Sequence, residues 1–373
     1  MKWVYGLLAL FVLVIIHELG HFIAAKILGV KVESFSVGMG PILFHKKIKG
    51  TDYRLSLIPL GGYCGMKGEK DFQNAIENNL AEIKAEPDSF YGVHPLKRAI
   101  IGFTGPFFNF LFVILALTII NFVGYNYCTY SNKIIVLDTI EINNEIIPSP
   151  AYNAGLKTGD IIVKINNKKI SDFTDIYNEV AINPEELLKV TVLRNNTEIE
   201  FEIKTIIDKS TGAGKLGIQA DSEPIVKSTP KYNIFEAFWQ GIKGAFEDVV
   251  VTIKSIGVLF KGVEIKNAVS GPARITDILG STIETGFSAG LKIGFISILE
   301  LMSLISVSLF IMNLLPIPVL DGGIILVALI EAITRKKISP KIQYYIQFIG
   351  IAFIIFVLII GLSGDISYFF NKR

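Results

Sequence analysis

The residues best suited to chemistry are His17, Glu18 and His21, which lie close together near the start of the chain. Two histidines four residues apart share one face of a helix, so both imidazoles can bind the same zinc ion. The intervening glutamate lies beside such a metal, where a carboxylate can take a proton from water. The spacing therefore predicts two zinc ligands and a general base on one face of a helix.

The sequence around these three residues is strongly apolar. Val12–Ile16 immediately precedes His17, within an apolar run that begins at Trp3. The alternative is that His17 and His21 are ordinary core histidines. However, burying two histidines and a glutamate without a metal leaves several polar groups to satisfy, and ionisable residues at membrane depth are usually functional. We therefore expect a zinc site within the membrane.

A catalytic zinc ion usually has three protein ligands and one open position, so a third ligand is required. Asp321 is the best candidate, since it follows two helix-breaking prolines in the run Asn313–Gly323. Non-helical backbone at membrane depth is tolerated where it lines a cavity or is packed in protein. The alternative is that Asp321 caps the helical run at 324–333. His45 and His94 lie in a polar loop and are poorer candidates.

Asn313 opens the same run, and its role has two interpretations. Its amide could bond the backbone carbonyls that the prolines leave without a donor. It could instead contact a substrate amide or oxyanion near the metal. The residues alone favour neither interpretation.

The composition predicts a membrane protein. The chain has 373 residues, of which 51% are hydrophobic and only 19% are charged, and its mean hydropathy is +0.50. Four segments are apolar enough to span a bilayer: residues 1–28 with the histidine pair, 97–123, 293–323 with the third ligand, and 341–363. No small-residue cleavage site follows the first apolar run, so we expect a retained helix rather than a signal peptide.

Basic residues in the short flanks indicate the orientation. They follow the first span, precede the second, and lie before the fourth in the segment 324–340. These residues are Lys26, Lys31, Lys46, Lys47, Lys49, Lys97, Arg98, Arg335, Lys336 and Lys337. With four spans all of them fall on one side, which the positive-inside rule assigns to the cytoplasm. The zinc motif is then nearer the cytoplasmic side, and residues from about 124 to 291 face outward.

Residues 29–96 form a polar cytoplasmic region that contains two strand patterns. Val32–Pro41 and Thr51–Tyr63 read as alternating strands with glycine turns, beside the expected zinc site. An exposed strand edge there could pair with an unwound substrate. The alternative is an amphipathic hairpin that lies on the membrane, and the sequence leaves both interpretations open.

The two motifs together give the chain a specific resemblance. With the motif at His17–His21 and the Asn-x-x-Pro-x-Pro-x-Leu-Asp-Gly run that begins at Asn313, it resembles the site-2 protease family of intramembrane zinc metalloproteases, in particular the bacterial regulator of sigma-E protease type. The resemblance covers essentially the whole chain. It implies that His17, His21 and Asp321 hold Zn²⁺. It also implies Glu18 as catalytic base and Asn313 as a substrate-contacting residue.

The same resemblance implies where the protein works and on what. It implies a multi-pass protein of the bacterial cytoplasmic (inner) membrane. Its substrates would be single-span membrane proteins, either anti-sigma factors already cut outside or signal-peptide remnants, in regulated intramembrane proteolysis. None of this substrate class follows from the residues themselves.

Residues 130–205 resemble one PDZ domain rather than a membrane segment. Ala154–Asp160 carries the Ala-Gly-Leu-x-x-Gly-Asp signature, a helical stretch is expected at Phe173–Ala181, and strands follow near 188–194 and 198–203. PDZ domains bind extended peptides by strand addition, whereas the alternative role is a steric filter that admits only trimmed substrates. Well-known relatives carry two tandem PDZ domains, and only one is visible here, which leaves the gating role open.

Residues 230–290 contain a long helical pattern at about 233–261 that is too charged to span. We expect it to lie in the outer interface. The expected fold is therefore a polytopic α-helical membrane protein with four transmembrane helices, a membrane-associated β-loop on the cytoplasmic side and one extracytoplasmic PDZ domain.

The leading functional hypothesis is an intramembrane zinc endopeptidase. The alternative is a catalytically silent metal-binding PDZ scaffold, which the absence of Glu18 or Asp321 would have favoured. A zinc transporter would need charged or histidine residues along a path across the bilayer, and the sequence has none beyond the single site. The net charge of +2 and the absence of a basic arm give no indication of nucleic acid. Membrane lipid and substrate proteins are the expected partners.

Overall fold

The computed structural model describes residues 2–142, 145–263 and 271–371. In chain order, the helices are α1 (Lys2–Ile27), α2 (Glu69–Glu77), α3 (Pro95–Val123), α4 (Pro150–Asn153), α5 (Phe173–Ala181), α6 (Ile234–Val258), α7 (Pro272–Ser288), α8 (Leu291–Leu314), α9 (Asp321–Thr334) and α10 (Pro340–Asn371). The strands are β1 (Val32–Ile48), β2 (Thr51–Met66), β3 (Asn126–Thr129), β4 (Ile134–Val136), β5 (Thr139–Ile142), β6 (Glu145–Pro148), β7 (Ile161–Ile165), β8 (Lys168–Lys169), β9 (Leu187–Arg194), β10 (Thr197–Lys204), β11 (Ile206–Ile207), β12 (Gly214–Lys215), β13 (Ile218–Ala220) and β14 (Ile225–Ser228).

The chain folds as two units. The first comprises residues 1–123, 232–249 and 271–373, and the second comprises residues 124–231 and 250–270. Four described helices, all in the first unit, are long and apolar enough to cross a membrane: Trp3–Ile27, Pro95–Val123, Leu291–Leu314 and Pro340–Phe370. These are the four segments in which spans were predicted, although α10 continues beyond residue 363.

A short helix, α7, packs against two of the long apolar helices. Leu279 and Ile283 of α7 join Leu13 of α1 and Met302 of α8 in one buried cluster. Residues 272–288 lie within the region 230–290 that was expected in the outer interface, but no separate helix was predicted there. With 17 residues, α7 is at the lower limit of the length that spans a bilayer. Its apolar face is buried against α1 and α8.

Helix α6 matches the helical pattern predicted at 233–261 and packs on α3 through small residues. Ala237, Gly241 and Ala245 are buried and recur every four residues, so they form one stripe. A Cβ on Gly241 would come within 2.9 Å of the Ile114 carbonyl oxygen of α3. Small residues let two helix backbones approach closely, and α6 uses them in this way.

Strands β1 and β2 form a hairpin in the predicted β-loop region. Lys49 and Gly50 make its turn with φ of 47° and 84°, the positive values that a two-residue hairpin turn requires. Residues 34–37 pair with 62–65 on one side and with 52–55 on the other. Cys64 and Met66 pack beside buried residues of α1. The end of β2 is therefore fixed next to the helix that carries the histidines.

The second unit is built on a four-stranded sheet with the order β10-β9-β7-β8. Its apolar core includes Ile162, Ile165, Ile176, Leu188, Val190 and Val192. Helix α5 occupies the predicted residues, and the Asp172 side chain caps it by accepting a hydrogen bond from the Asp175 N–H at 3.2 Å. The pairs β3–β14 and β4–β13 join residues 126–136 to residues 218–228, so the unit extends beyond residues 130–205 at both ends.

Candidate metal centre

His17 and His21 lie one turn apart on α1 and point the same way. Their Nε2 atoms are 3.2 Å apart, and the two rings meet edge to face with centroids separated by 4.9 Å. His21 is buried and His17 is partly buried. Gly105 of α3 packs directly against the His21 ring, because a Cβ built on Gly105 would overlap Nε2.

Asp321 is the first residue of α9 and faces the two histidines. Leu320 occupies the N-cap position and no side chain caps the helix, so Asp321 does not play the capping role considered as its alternative. Asp321 Oδ2 lies 3.1 Å from His17 Nε2, and Oδ1 lies 3.3 Å from His21 Nε2. The fold thus brings together three residues from opposite ends of the chain.

The chain between α8 and α9 turns sharply to present Asp321. The Leu320 N–H donates to the Ile317 carbonyl at 3.1 Å, which closes a β-turn with Pro318 second and Val319 third. Val319 has φ of 83°, a value that usually requires glycine at this position. Cβ atoms on the glycine pair 322–323 would overlap carbonyl oxygens of the preceding segment. The prolines and glycines together therefore determine where α9 begins.

The spacing of the three donors fits a zinc ion. Their nearest nitrogen and oxygen atoms are separated by 3.1, 3.2 and 3.3 Å. A tetrahedral zinc ion with bonds of about 2.0–2.1 Å needs ligand atoms roughly 3.3 Å apart, and imidazole nitrogen and carboxylate oxygen are among its usual donors. Among the described residues, no other His, Cys, Asp or Glu joins this cluster. Three protein donors in this part of the chain match the number that catalytic zinc sites usually have.

A backbone carbonyl of α3 orients His21. The Ile101 oxygen lies 2.8 Å from His21 Nδ1. Because a carbonyl can only accept, Nδ1 carries a proton, and in the neutral ring Nε2 then presents a lone pair towards Asp321 and His17. This arrangement is the one that metal-binding histidines usually have.

Glu18 and the three candidate ligands line one cavity, which has a volume of about 310 Å³. Its carboxylate lies near the backbone N–H of Cys64 in β2. Gly62 passes close to it as well, since a Cβ there would lie 3.3 Å from Glu18 Cγ. The carboxylate is next to the three donors but not among them, which suits a group that transfers protons.

Asn313 also lines this cavity, at the end of α8. His45 and His94 do not belong to the cluster. The Nδ1 of His45, on β1, lies 3.1 Å from Asp52 Oδ1, and the Nδ1 of His94 accepts the Leu96 N–H at 3.2 Å. Tyr63 also lines the cavity, and it ends the strand pattern that was expected beside the zinc site. Other lining residues were not singled out from sequence, among them Cys64, Met66 and Phe90. Cys64 and Met66 continue the same strand, whereas nothing in the sequence marked Phe90.

Comparison with known proteins agrees with this geometry. Residues 5–357 match peptidase family M50. Three bacterial relatives carry the description "putative zinc metalloprotease". The relative in Treponema pallidum is 33% identical over 99% of this chain and 100% of its own length. That in Campylobacter jejuni is 34% identical over 95% and 90%, and that in Helicobacter pylori J99 is 33% identical over 98% and 99%. The chain therefore belongs to peptidase family M50, the site-2 protease family of membrane zinc metalloproteases.

Proposed function

We propose that this protein is an intramembrane endopeptidase that cuts the membrane-spanning segments of single-span membrane proteins during regulated intramembrane proteolysis. The convergence of His17, His21 and Asp321 on apolar helices carries the proposal. Both histidines belong to a helix apolar enough to span, and Asp321 follows the end of another. A hydrolytic centre at this position has membrane-embedded peptide bonds as its nearest substrates.

The depth of the centre supports this substrate class. The helix from Trp3 to Ile16 rises roughly 21 Å, less than the hydrocarbon thickness of about 30 Å. His17 would then lie within the hydrocarbon, nearer the end of α1 that carries Lys26 and Lys31. We assign that end to the cytoplasmic side of the bacterial inner membrane, following the positive-inside rule.

In the proposed mechanism His17, His21 and Asp321 hold zinc. Zinc bound there would polarise the scissile carbonyl as a Lewis acid and lower the pKa of a water molecule. Glu18 takes a proton from the attacking water and then donates it to the leaving amide nitrogen. We assign the Asn313 amide to donate a hydrogen bond to the substrate carbonyl oxygen, where negative charge develops.

The substrate must be extended at the point of cleavage, because a helix encloses its peptide bonds in its own hydrogen bonds. The end of β2 supports such binding. Tyr63, Cys64 and Met66 line the cavity, and this segment pairs with β1 along one side. We propose that the other side pairs with the unwound substrate as an added strand.

We assign residues 130–205, which lie within the second unit, to a single extracytoplasmic PDZ domain. The sheet order, the helix α5 and the loop 154–160 support this assignment. Binding of a soluble peptide with a free carboxyl terminus would indicate a receptor role. Without such binding, faster cleavage of externally trimmed substrates would indicate a steric filter. Anti-sigma factors and signal-peptide remnants are the substrates that fit either role.

The decisive experiment is co-expression with a tagged, externally trimmed single-span substrate, with fragments identified by mass. We expect the wild type to cut within the span and Glu18→Gln to lose cutting by at least a factor of about 10², since general base catalysis contributes this much or more. Glu18→Gln should still bind zinc. Glu33→Gln, an exposed glutamate in β1, is the matched control and should cut normally.

A catalytically silent metal-binding scaffold is the alternative. It predicts that the wild type binds zinc but cuts no member of a panel of such spans. Equal cutting by the wild type and Glu18→Gln would contradict the proposed role of Glu18 directly.

A further inference from the structure

Asn109 of α3 is a fully buried amide beside the candidate metal centre. Its side chain is 0% exposed, and its Nδ2 lies 3.2 Å from His17 Nδ1. Its Oδ1 is buried and has no hydrogen-bond partner among the described residues. The amide can therefore turn about its Cβ–Cγ bond without breaking a hydrogen bond of Oδ1.

The chemistry of His17 determines which end of this amide is needed. A zinc ligand needs a lone pair on Nε2, so in neutral His17 the ring proton is on Nδ1. Nδ1 then donates a hydrogen bond, and an amide NH₂ group cannot accept it. The two ends of an amide have nearly the same size and shape, so the carbonyl oxygen of Asn109 can occupy the position next to Nδ1. It can then accept the Nδ1 proton at the same separation.

The backbone of Asn109 is itself anchored. Ser306 of α8 is buried, and its hydroxyl donates to the Asn109 carbonyl oxygen at 3.0 Å. The neighbouring ligand His21 is oriented from the same helix, by the Ile101 carbonyl. Helix α3 thus supplies one group next to the Nδ1 atom of each histidine, although none of the three candidate zinc ligands lies on it.

We propose that Asn109 is the positioning residue of His17. Its side-chain carbonyl accepts the Nδ1 proton, which fixes both the tautomer and the orientation of the ring, and Ser306 holds this turn of α3 in place. The inference rests on the proposed function only in that His17 binds zinc. It assigns Asn109 no contact with the substrate.

The test measures zinc affinity rather than activity. The full-length protein is purified in detergent, and the zinc dissociation constant is measured by competition with a chromophoric chelator for the wild type, Asn109→Leu and Asn109→Asp. Loss of a partner of this kind lowers metal affinity about 10–100-fold, which we expect for Asn109→Leu. Asn109→Asp should keep wild-type affinity or better, since a carboxylate also accepts the Nδ1 proton.

Two further measurements separate positioning from packing. The visible spectrum of the Co²⁺-substituted protein should change in Asn109→Leu and be preserved in Asn109→Asp. Asn121→Leu is the control, because Asn121 lies on the same helix and its side-chain amide donates to the Leu117 carbonyl of that helix. This variant should bind zinc normally.

Wild-type zinc affinity in Asn109→Leu would overturn the proposal. Equal loss in Asn109→Asp and Asn109→Leu would also overturn it, since shape rather than an acceptor would then matter. If Asn109→Leu does not fold, Asn109→Asp decides alone, because its ionised side chain has no donor. His17→Ala tests the underlying assumption separately: unchanged zinc affinity there would refute ligation by His17 and hence the proposed function.

Discussion

At the scale of single residues, the His21 ring is positioned both by a hydrogen bond and by close packing against a glycine. His21 receives a hydrogen-bond acceptor from Ile101 on one side of its ring. On the other side its Nε2 packs against Gly105. Any side chain larger than hydrogen at position 105 would occupy the space that the imidazole needs.

We therefore predict that Gly105→Ala weakens zinc binding by about tenfold or more, because the added methyl group displaces the His21 ring from its place near Asp321. The dissociation constant in detergent measures this effect. Gly257→Ala is the control: Gly257 is also helical, and a Cβ there would have no heavy atom within 4 Å. Zinc affinity in Gly105→Ala that equals that of Gly257→Ala would show that the ring has room to move.

At the scale of elements, a buried ion pair joins α3 to the helix that begins with Asp321. Arg98 of α3 donates to Glu331 of α9, and their side chains are only 7% and 3% exposed. Glu331 also accepts the Ile338 N–H at 2.8 Å. Since one end of α9 carries Asp321 and the other carries Glu331, this pair fixes how α9 lies against α3.

The expected result of removing one partner is a large loss of stability. Arg98→Met or Glu331→Met should each destabilise the first unit by about 3–5 kcal/mol, because an uncompensated charge is left buried. The double variant should lie closer to the wild type, since replacing both charges by apolar groups is often nearly neutral. Unfolding in detergent measures all four members of this cycle. A double variant whose loss equals the sum of the two single losses would show that the pair is not coupled.

At the scale of the whole molecule, each of the two units has its own apolar core. Within the second unit, Asp160 follows the predicted loop signature and is 1% exposed. It accepts two hydrogen bonds from Arg194, both at 2.7 Å, and one from the Lys157 N–H at 2.9 Å. Burial alone would raise the pKa of Asp160, but these donors hold it below its ordinary value of 3.8.

This pair predicts a pH-dependent stability of the second unit. Since the pKa is lower in the folded chain, ionised Asp160 stabilises the fold above about pH 3.8, and that contribution is lost as the pH falls further. We expect Arg194→Met to lose about 1.5–3 kcal/mol at pH 7, the range for hydrogen bonds to charged groups. The difference from the wild type should narrow at pH 3.

The measurement is the urea midpoint of the second unit, followed by hydrogen exchange of β9 at both pH values. Lys189→Met is the control, because this exposed lysine of β9 lies 3.7 Å from Glu202 and exposed pairs contribute little. Zinc affinity should be unchanged in both variants. A difference that persists undiminished at pH 3 would mean that Arg194 acts through packing rather than through the Asp160 charge.

Several features of this protein were determined by residues close together in the sequence. The spacing of His17 and His21 places both on one helical face because the helix repeat is local, and the long apolar runs predicted the four helices of spanning length for the same reason. The bounds of α5 were likewise predicted by a local pattern, from Phe173 to Ala181. The role of Asp321, in contrast, could only be proposed from sequence by asking which residue might supply a missing ligand.

Tertiary structure alone decided which helix faces meet. It brought Asp321 to the two histidines, placed Asn109 next to His17, and joined Arg98 to Glu331. It also set residues 34–37 between two other segments of the hairpin. None of these pairings has a local signature, since each depends on the rotation and depth of helices or strands that are far apart in the chain. Packing fixes those quantities, whereas the sequence pattern fixes only which face of each element is apolar.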